Sequence, residues 1–224
     1  MPSSASVAVG TPLQPAVVYS SPDADALDDQ YEGRASGYTY AREGHPNADV
    51  VAAKIDALEA SPTQGIMLGS GMGAISAVFL GLLKSGDHIV AGDQLYGRSL
   101  RLLTQDLPRF GIECTFVDAG DAANVAAAMR PETKLVMVEV VSNPTLRIAD
   151  IDGIAAVTAR HDNALLMLDN TFTTPRAIRA YDHGADVVVH SVTKLLAGHS
   201  DVTLGYVSVA DPTLRQPIVD AAVT

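Results

Sequence analysis

The chain has 224 residues, 47% of them hydrophobic, which is material for one substantial α/β domain or two small ones. Lys plus Arg number 15 against 26 Asp plus Glu; this net charge of −11 argues against nucleic acid or an anionic membrane surface as partner, although a local basic cluster still suits a phosphate. The single Cys114 excludes an intrachain disulfide framework and fits a reducing cytoplasm, no leader-like segment opens the chain, and the longest apolar run, residues 74–83, is too short to span a bilayer, so a soluble cytoplasmic protein is expected.

Up to about Gly44 the sequence is rich in Ser, Pro, Asp, Gly and Tyr and has little periodicity. It reads as an arm, residues 1–45, preceding a core domain, residues 46–224. Asn47 is the expected cap of a first helix with Val50, Val51, Ile55 and Leu58 on one face. Apolar runs then predict buried parallel strands over residues 65–68, 88–91, 113–117, 135–140, 165–168, 186–189 and 204–209. Helical patterns fall between most of them, over residues 74–84, 99–107, 122–129 and 151–160, with a shorter one near 176–181. Residues 216–224 have the look of an interrupted helix. Alternation of strand and helix implies right-handed βαβ units and a three-layer α/β/α fold with a mostly parallel seven-stranded sheet.

Ligands of such sheets bind beyond the carboxyl ends of the strands, so the loops that follow strands matter most. The first is Gly69-Ser70-Gly71-Met72-Gly73-Ala74, a glycine-rich turn into a helix, whose unpaired N–H groups and positive dipole end suit a phosphate. It also fits the G-x-G-x-x-[GA] pattern, with Asp93 ending the next strand where a ribose-binding acid would sit. A nicotinamide-dependent oxidoreductase built on Gly69–Ala74 is therefore a rival reading. Tyr96 offers a ring to stack on a flat cofactor, and Asn143 a donor for a phenolate-like oxygen. Asp169, at the end of the fifth strand, offers a carboxylate to a protonated ring nitrogen.

The run His190 to Asp201 is the most informative. Lys194 lies there between the hydroxyl residues Ser191 and Thr193 and a Gly/His/Ser turn, after an apolar strand, where an amine kept short of bulk solvent can lose its proton and form a Schiff base with an aldehyde. Ser191 and Thr193 would hold an anionic group beside it. A dinucleotide site needs only the first loop. The full series favours pyridoxal 5′-phosphate (PLP), which supplies both aldehyde and anion.

With these residues in place, the chain resembles the cystathionine γ-synthase/γ-lyase family, the Cys/Met-metabolism group of fold-type I PLP enzymes, from about Thr11 to Val209. The resemblance implies an aspartate-aminotransferase-like large domain preceded by an extended arm. It matches Ser70, Gly71 and Met72 to the phosphate-binding turn and Tyr96 to the ring-stacking tyrosine. Asn143 matches the residue near the 3′-oxygen, Asp169 the pyridinium partner, Ser191 and Thr193 the phosphate-binding hydroxyls, and Lys194 the Schiff-base lysine. Tyr38-Thr39-Tyr40-Ala41-Arg42 is similar to the family's arm motif, so Tyr40 and Arg42 are expected to reach a neighbouring subunit's phosphate in a homodimer or homotetramer.

The implied activity is γ-replacement or γ/β-elimination on sulfur-containing or O-acylated homoserine-type amino acids, with Lys194, Asp169 and Tyr96 as the catalytic set. There are two departures. His45-Pro46-Asn47 stands where the family has Asn-Pro-Thr. The C-terminal domain with the arginine for the substrate carboxylate is also not represented, so a truncated chain, and with it a PLP-binding but inactive fragment, is a further expectation.

Overall fold

The computed structural model describes residues 9–223. The chain divides into two compact units, Met1–Val51 and Ala52–Thr224.

In the first unit, helix α1 (Ala24–Tyr31) is started by Asp23, whose carboxylate accepts from the Ala26 N–H at 2.8 Å. Sequence periodicity did not reveal this helix. Val18 and Tyr40 form an isolated antiparallel bridge, and the Tyr38 hydroxyl donates to Asp49 Oδ2 at 2.6 Å. Helix α2 (Pro46–Glu59), whose residues from Ala52 onward belong to the second unit, begins one residue before the expected cap. Proline at a first helical position has its φ already set for the helix. The N–H of Asn47 donates to His45 Nδ1 at 3.1 Å, and the Asn47 side chain instead ties both backbone groups of Gln14.

The second unit carries β1 (Ile66–Leu68), α3 (Gly71–Leu82), β2 (His88–Gly92), α4 (Gly97–Arg101), β3 (Glu113–Val117), α5 (Ala122–Ala128), β4 (Thr133–Glu139), α6 (Ile151–Thr158), β5 (Leu165–Asp169), α7 (Thr174–Ala177), β6 (Val187–Ser191), β7 (Gly205–Val209) and α8 (Arg215–Val223). The seven strands form one sheet in the order β1-β7-β6-β5-β4-β2-β3. From β3 through β6 all neighbours are parallel. Alternate residues of the central strands feed two cores. Leu135, Met137, Met167, Val187 and Val189 pack with Ala74, Val78 and Phe79 of α3 and Ile218 of α8. Val136, Val138, Leu166, Leu168 and Val188 pack with Val125 of α5 and Ile154 of α6. Burial on both faces is why these strands read as continuous apolar runs, and the result is the expected three-layer fold.

Two expectations are corrected. β7 is antiparallel to both β6 and β1. The link from β6 to β7, residues 192–204, holds no helix, and a parallel return would need a crossover of that kind. The helix expected over 99–107 stays α-helical only to Arg101, widens to a π-helical turn over Leu102–Asp106, and ends as a 3₁₀ turn at Leu107–Phe110. The Thr104 hydroxyl claims the Leu100 carbonyl at 2.8 Å, and Pro108 brings no N–H for the next α-helical bond.

Candidate active site

The carboxyl ends of β4, β5 and β6 and the N-terminus of α3 line a cleft of about 190 Å³, open to solvent at its mouth. Ser70, Gly71, Met72, Tyr96, Asn143, Asp169, Ser191, Thr193 and Lys194 all line it. These residues are spread over 125 positions of sequence (194 − 70 = 124 intervals) and meet because parallel strands deliver their following loops to one edge. Tyr40 and Arg42 belong to the first unit, where the Arg42 guanidinium lies 5.4 Å from the Tyr40 ring centroid.

Ser70 caps α3, its hydroxyl accepting from the Gly73 N–H at 3.0 Å. Gly71 and Met72 open the helix, and their N–H groups have no carbonyl one turn earlier to bond. Two glycines make the close packing possible. A Cβ on Gly71 would lie 2.6 Å from Ser191 Cβ, and one on Gly205 would lie 2.0 Å from the Ser70 carbonyl oxygen. Ser191 ends β6, and its N–H donates to Thr171 Oγ1 at 2.8 Å. The Thr193 hydroxyl donates to the Leu204 carbonyl at 3.1 Å and accepts from the Leu204 N–H at 2.9 Å, which closes the base of the lysine loop.

Asp169 is the last residue of β5, partly buried in the cleft, and accepts from the Thr171 N–H at 3.0 Å. Burial pushes its carboxyl above the usual carboxylate range, opposed by the hydrogen bonds from Thr171. Lys194 is exposed, contrary to the expectation of a shielded amine. The strand has already ended at Ser191, and Lys194 lies in the turn that follows, its N–H donating to the Ser191 carbonyl at 3.0 Å.

Sequence reading missed Glu139, which ends β4 at 7% exposure and lines the same cleft. Its Oε1 accepts from the Tyr96 N–H at 2.6 Å and its Oε2 from the Asn143 N–H at 2.9 Å. Burial and then the neighbouring Asp169 push its carboxyl up to about 7, while the two N–H donors pull the other way. A lone acid within the otherwise apolar run 135–140 was the available signal.

The geometry also removes the dinucleotide reading. β1, which precedes the glycine turn, is an edge strand beside the antiparallel β7, and β2, which precedes Asp93, lies on the far side of β6, β5 and β4. Asp93 lines a separate small cleft with Gly120 and Arg147. The ribose-binding acid of a dinucleotide site follows the strand next to the glycine turn.

The family described as Cys/Met metabolism PLP-dependent enzyme matches residues 2–222. The chain belongs to this family. Among Cys/Met metabolism relatives, it is 40% identical to L-methionine gamma-lyase of Porphyromonas gingivalis over 89% of its length and 50% of that protein. It is 45% identical to cystathionine beta-lyase MetC of Bacillus subtilis over 81% of its length and 46% of that protein. The crystal structure of metB from Corynebacterium glutamicum superposes with a TM-score of 0.89 at 34% identity, covering 96% of this chain and 54% of that one. The chain thus spans about half the length of the relatives it matches.

The cofactor of this family is PLP, and the residues of the cleft fit it. The α3 N-terminus would suit an anion, the Asp169 carboxyl a cationic ring nitrogen, and the Lys194 amine an aldehyde.

Proposed function

We propose that this chain carries the PLP-binding half of a transsulfuration-type enzyme acting by γ-replacement or γ/β-elimination on sulfur-containing or O-acylated homoserine-type amino acids. The convergence of Lys194, Asp169 and the α3 N-terminus on one cleft carries the reading. Bound there, PLP supplies an electron sink for charge developing at the substrate Cα.

The chain's residues divide the remaining work. Gly71 and Met72, as the opening residues of α3, offer N–H groups to the phosphate, with Ser70 and Ser191 beside them and Thr193 holding the loop that brings Ser191 and Lys194 together. Asp169, as the carboxylate, would pair with the ring nitrogen, Tyr96 would offer its ring for stacking, and Asn143 would be a donor to the ring oxygen. Lys194 Nζ would hold the aldehyde and, as a free amine, serve as the base and acid that moves a substrate proton. Tyr40 and Arg42 are exposed or partly so in the arm, and we assign them to the phosphate of a neighbouring subunit in a homodimer or homotetramer. The single cysteine fits a reducing, cytoplasmic setting. Among the described residues no helix is long and apolar enough to cross a membrane.

The test is to incubate the PLP-loaded chain with L-cystathionine, L-methionine and an O-acyl-L-homoserine, following 2-oxo acid and thiol release. Turnover that K194A abolishes supports the reading. PLP uptake without turnover on any of the three would reduce the chain to a cofactor-binding piece.

A further inference from the structure

Glu139 and Asp169 are paired residues of neighbouring parallel strands, so their side chains leave the sheet on the same face, toward the same cleft. Glu139 also ties both flanking loops. Its two oxygens accept separately from the Tyr96 and Asn143 N–H groups, from loops 43 and 4 residues away. A carboxylate can accept at both oxygens at once, whereas a carboxyl or a carboxamide turns one of its two ends into a donor facing an N–H.

We propose that Glu139 is a positioning residue, a two-pronged clamp that in its ionised form sets Tyr96 and Asn143 over the cleft and releases one of them when it takes up a proton. The inference rests on the proposed PLP site for its consequence, since Tyr96 and Asn143 are the groups assigned to the ring face and ring oxygen. The titratable and charged groups around the clamp are Asp169 on β5, His190 on β6, the Tyr96 hydroxyl and Lys194 along the cleft, and Asp93, Asp118 and Arg147 in the adjoining small cleft. Burial and Asp169 lift Glu139 to about 7, so the clamp changes state near neutral pH. A cation on the ring nitrogen would offset the Asp169 charge and move the change to lower pH.

Two measurements decide it. The first uses the whole chain without PLP and follows the hydrogen-exchange protection factors of the Tyr96 and Asn143 amides, corrected for intrinsic exchange, on both sides of pH 7. Protection of at least one amide falling below that pH supports the clamp; flat protection of both overturns it. The second titrates PLP into wild type and E139Q across the same range, with thermal melting to show that the variant is folded. Loss of one charge-assisted bond predicts roughly 10- to 100-fold weaker PLP binding by E139Q, and loss of the inflection near pH 7 expected of wild type. Wild-type affinity and an unchanged inflection in E139Q overturn the proposal. If wild type takes up no PLP, the proposed cofactor site fails, and the amide measurement alone decides the clamp.

Discussion

His190 Nε2 lies 2.5 Å from Glu59 Oε1, and both side chains are fully buried. Glu59 Oε1 also accepts from Asn170 Nδ2 at 2.8 Å, and Oε2 from the Ala180 N–H at 3.1 Å. The end of α2 thereby fastens β6 one residue before Ser191 and the β5 loop one residue after Asp169, beneath the cleft. Replacing Glu59 by Ala would strand these donors in the interior, and E59A should cost about 3–5 kcal/mol of stability. Urea unfolding measures this; a loss under about 1 kcal/mol would show that the network is dispensable.

The glycine contacts give a second prediction. G205A would drive a methyl group into the Ser70 carbonyl, backbone against backbone, with no flexible side chain to yield. The cap of α3 must then shift. G205A is expected to lose about 1–3 kcal/mol and to bind inorganic phosphate or PLP more weakly than wild type. Melting temperature and PLP titration report the two effects separately.

Asp169 is the residue assigned to the ring nitrogen, and D169N retains its shape without its charge. PLP affinity should fall roughly 10- to 100-fold, the value of one hydrogen bond to a charged group. The absorbance of PLP bound to the two proteins, titrated side by side, checks it.

The pH dependence of stability follows from Glu139. Its folded value of about 7 stands above the ordinary 4.5, so between these limits the folded chain holds a proton that the unfolded chain has lost. The contribution is fully present below about 4.5 and is lost as pH rises through about 7. Asp169 and Asp186, also raised by burial, act in the same direction, whereas His88, lowered chiefly by burial, acts in the opposite one. The difference between wild type and E139Q isolates Glu139. Wild type should lose stability relative to the variant over that window, by at most about 1.4 kcal/mol per pH unit. Parallel curves would contradict the assignment.

Much of the fold was legible in the sequence because parallel strands buried on both faces leave continuous apolar runs, and the loops after several of them reach the cleft. Asp169 and Lys194 were picked out in that way as candidates, and both line it. The direction of β7 was not, because an apolar run carries no sign of its polarity and only the helix-free link before it offered a hint. Glu139 was hidden inside a run read as core through residue 140. Its partners are backbone N–H groups, which leave no trace in residue type. The shielding expected of Lys194 needs the turn geometry after Ser191, which composition does not encode.

The central claim is that Lys194 is the residue that takes PLP. The most direct measurement loads the purified chain with PLP, reduces it with borohydride and maps the labelled peptide by mass spectrometry, with K194A alongside. A pyridoxyl group is expected on Lys194 in wild type, and none at that peptide in the variant. A folded wild-type chain that carries no label, or carries it on another lysine, would contradict it.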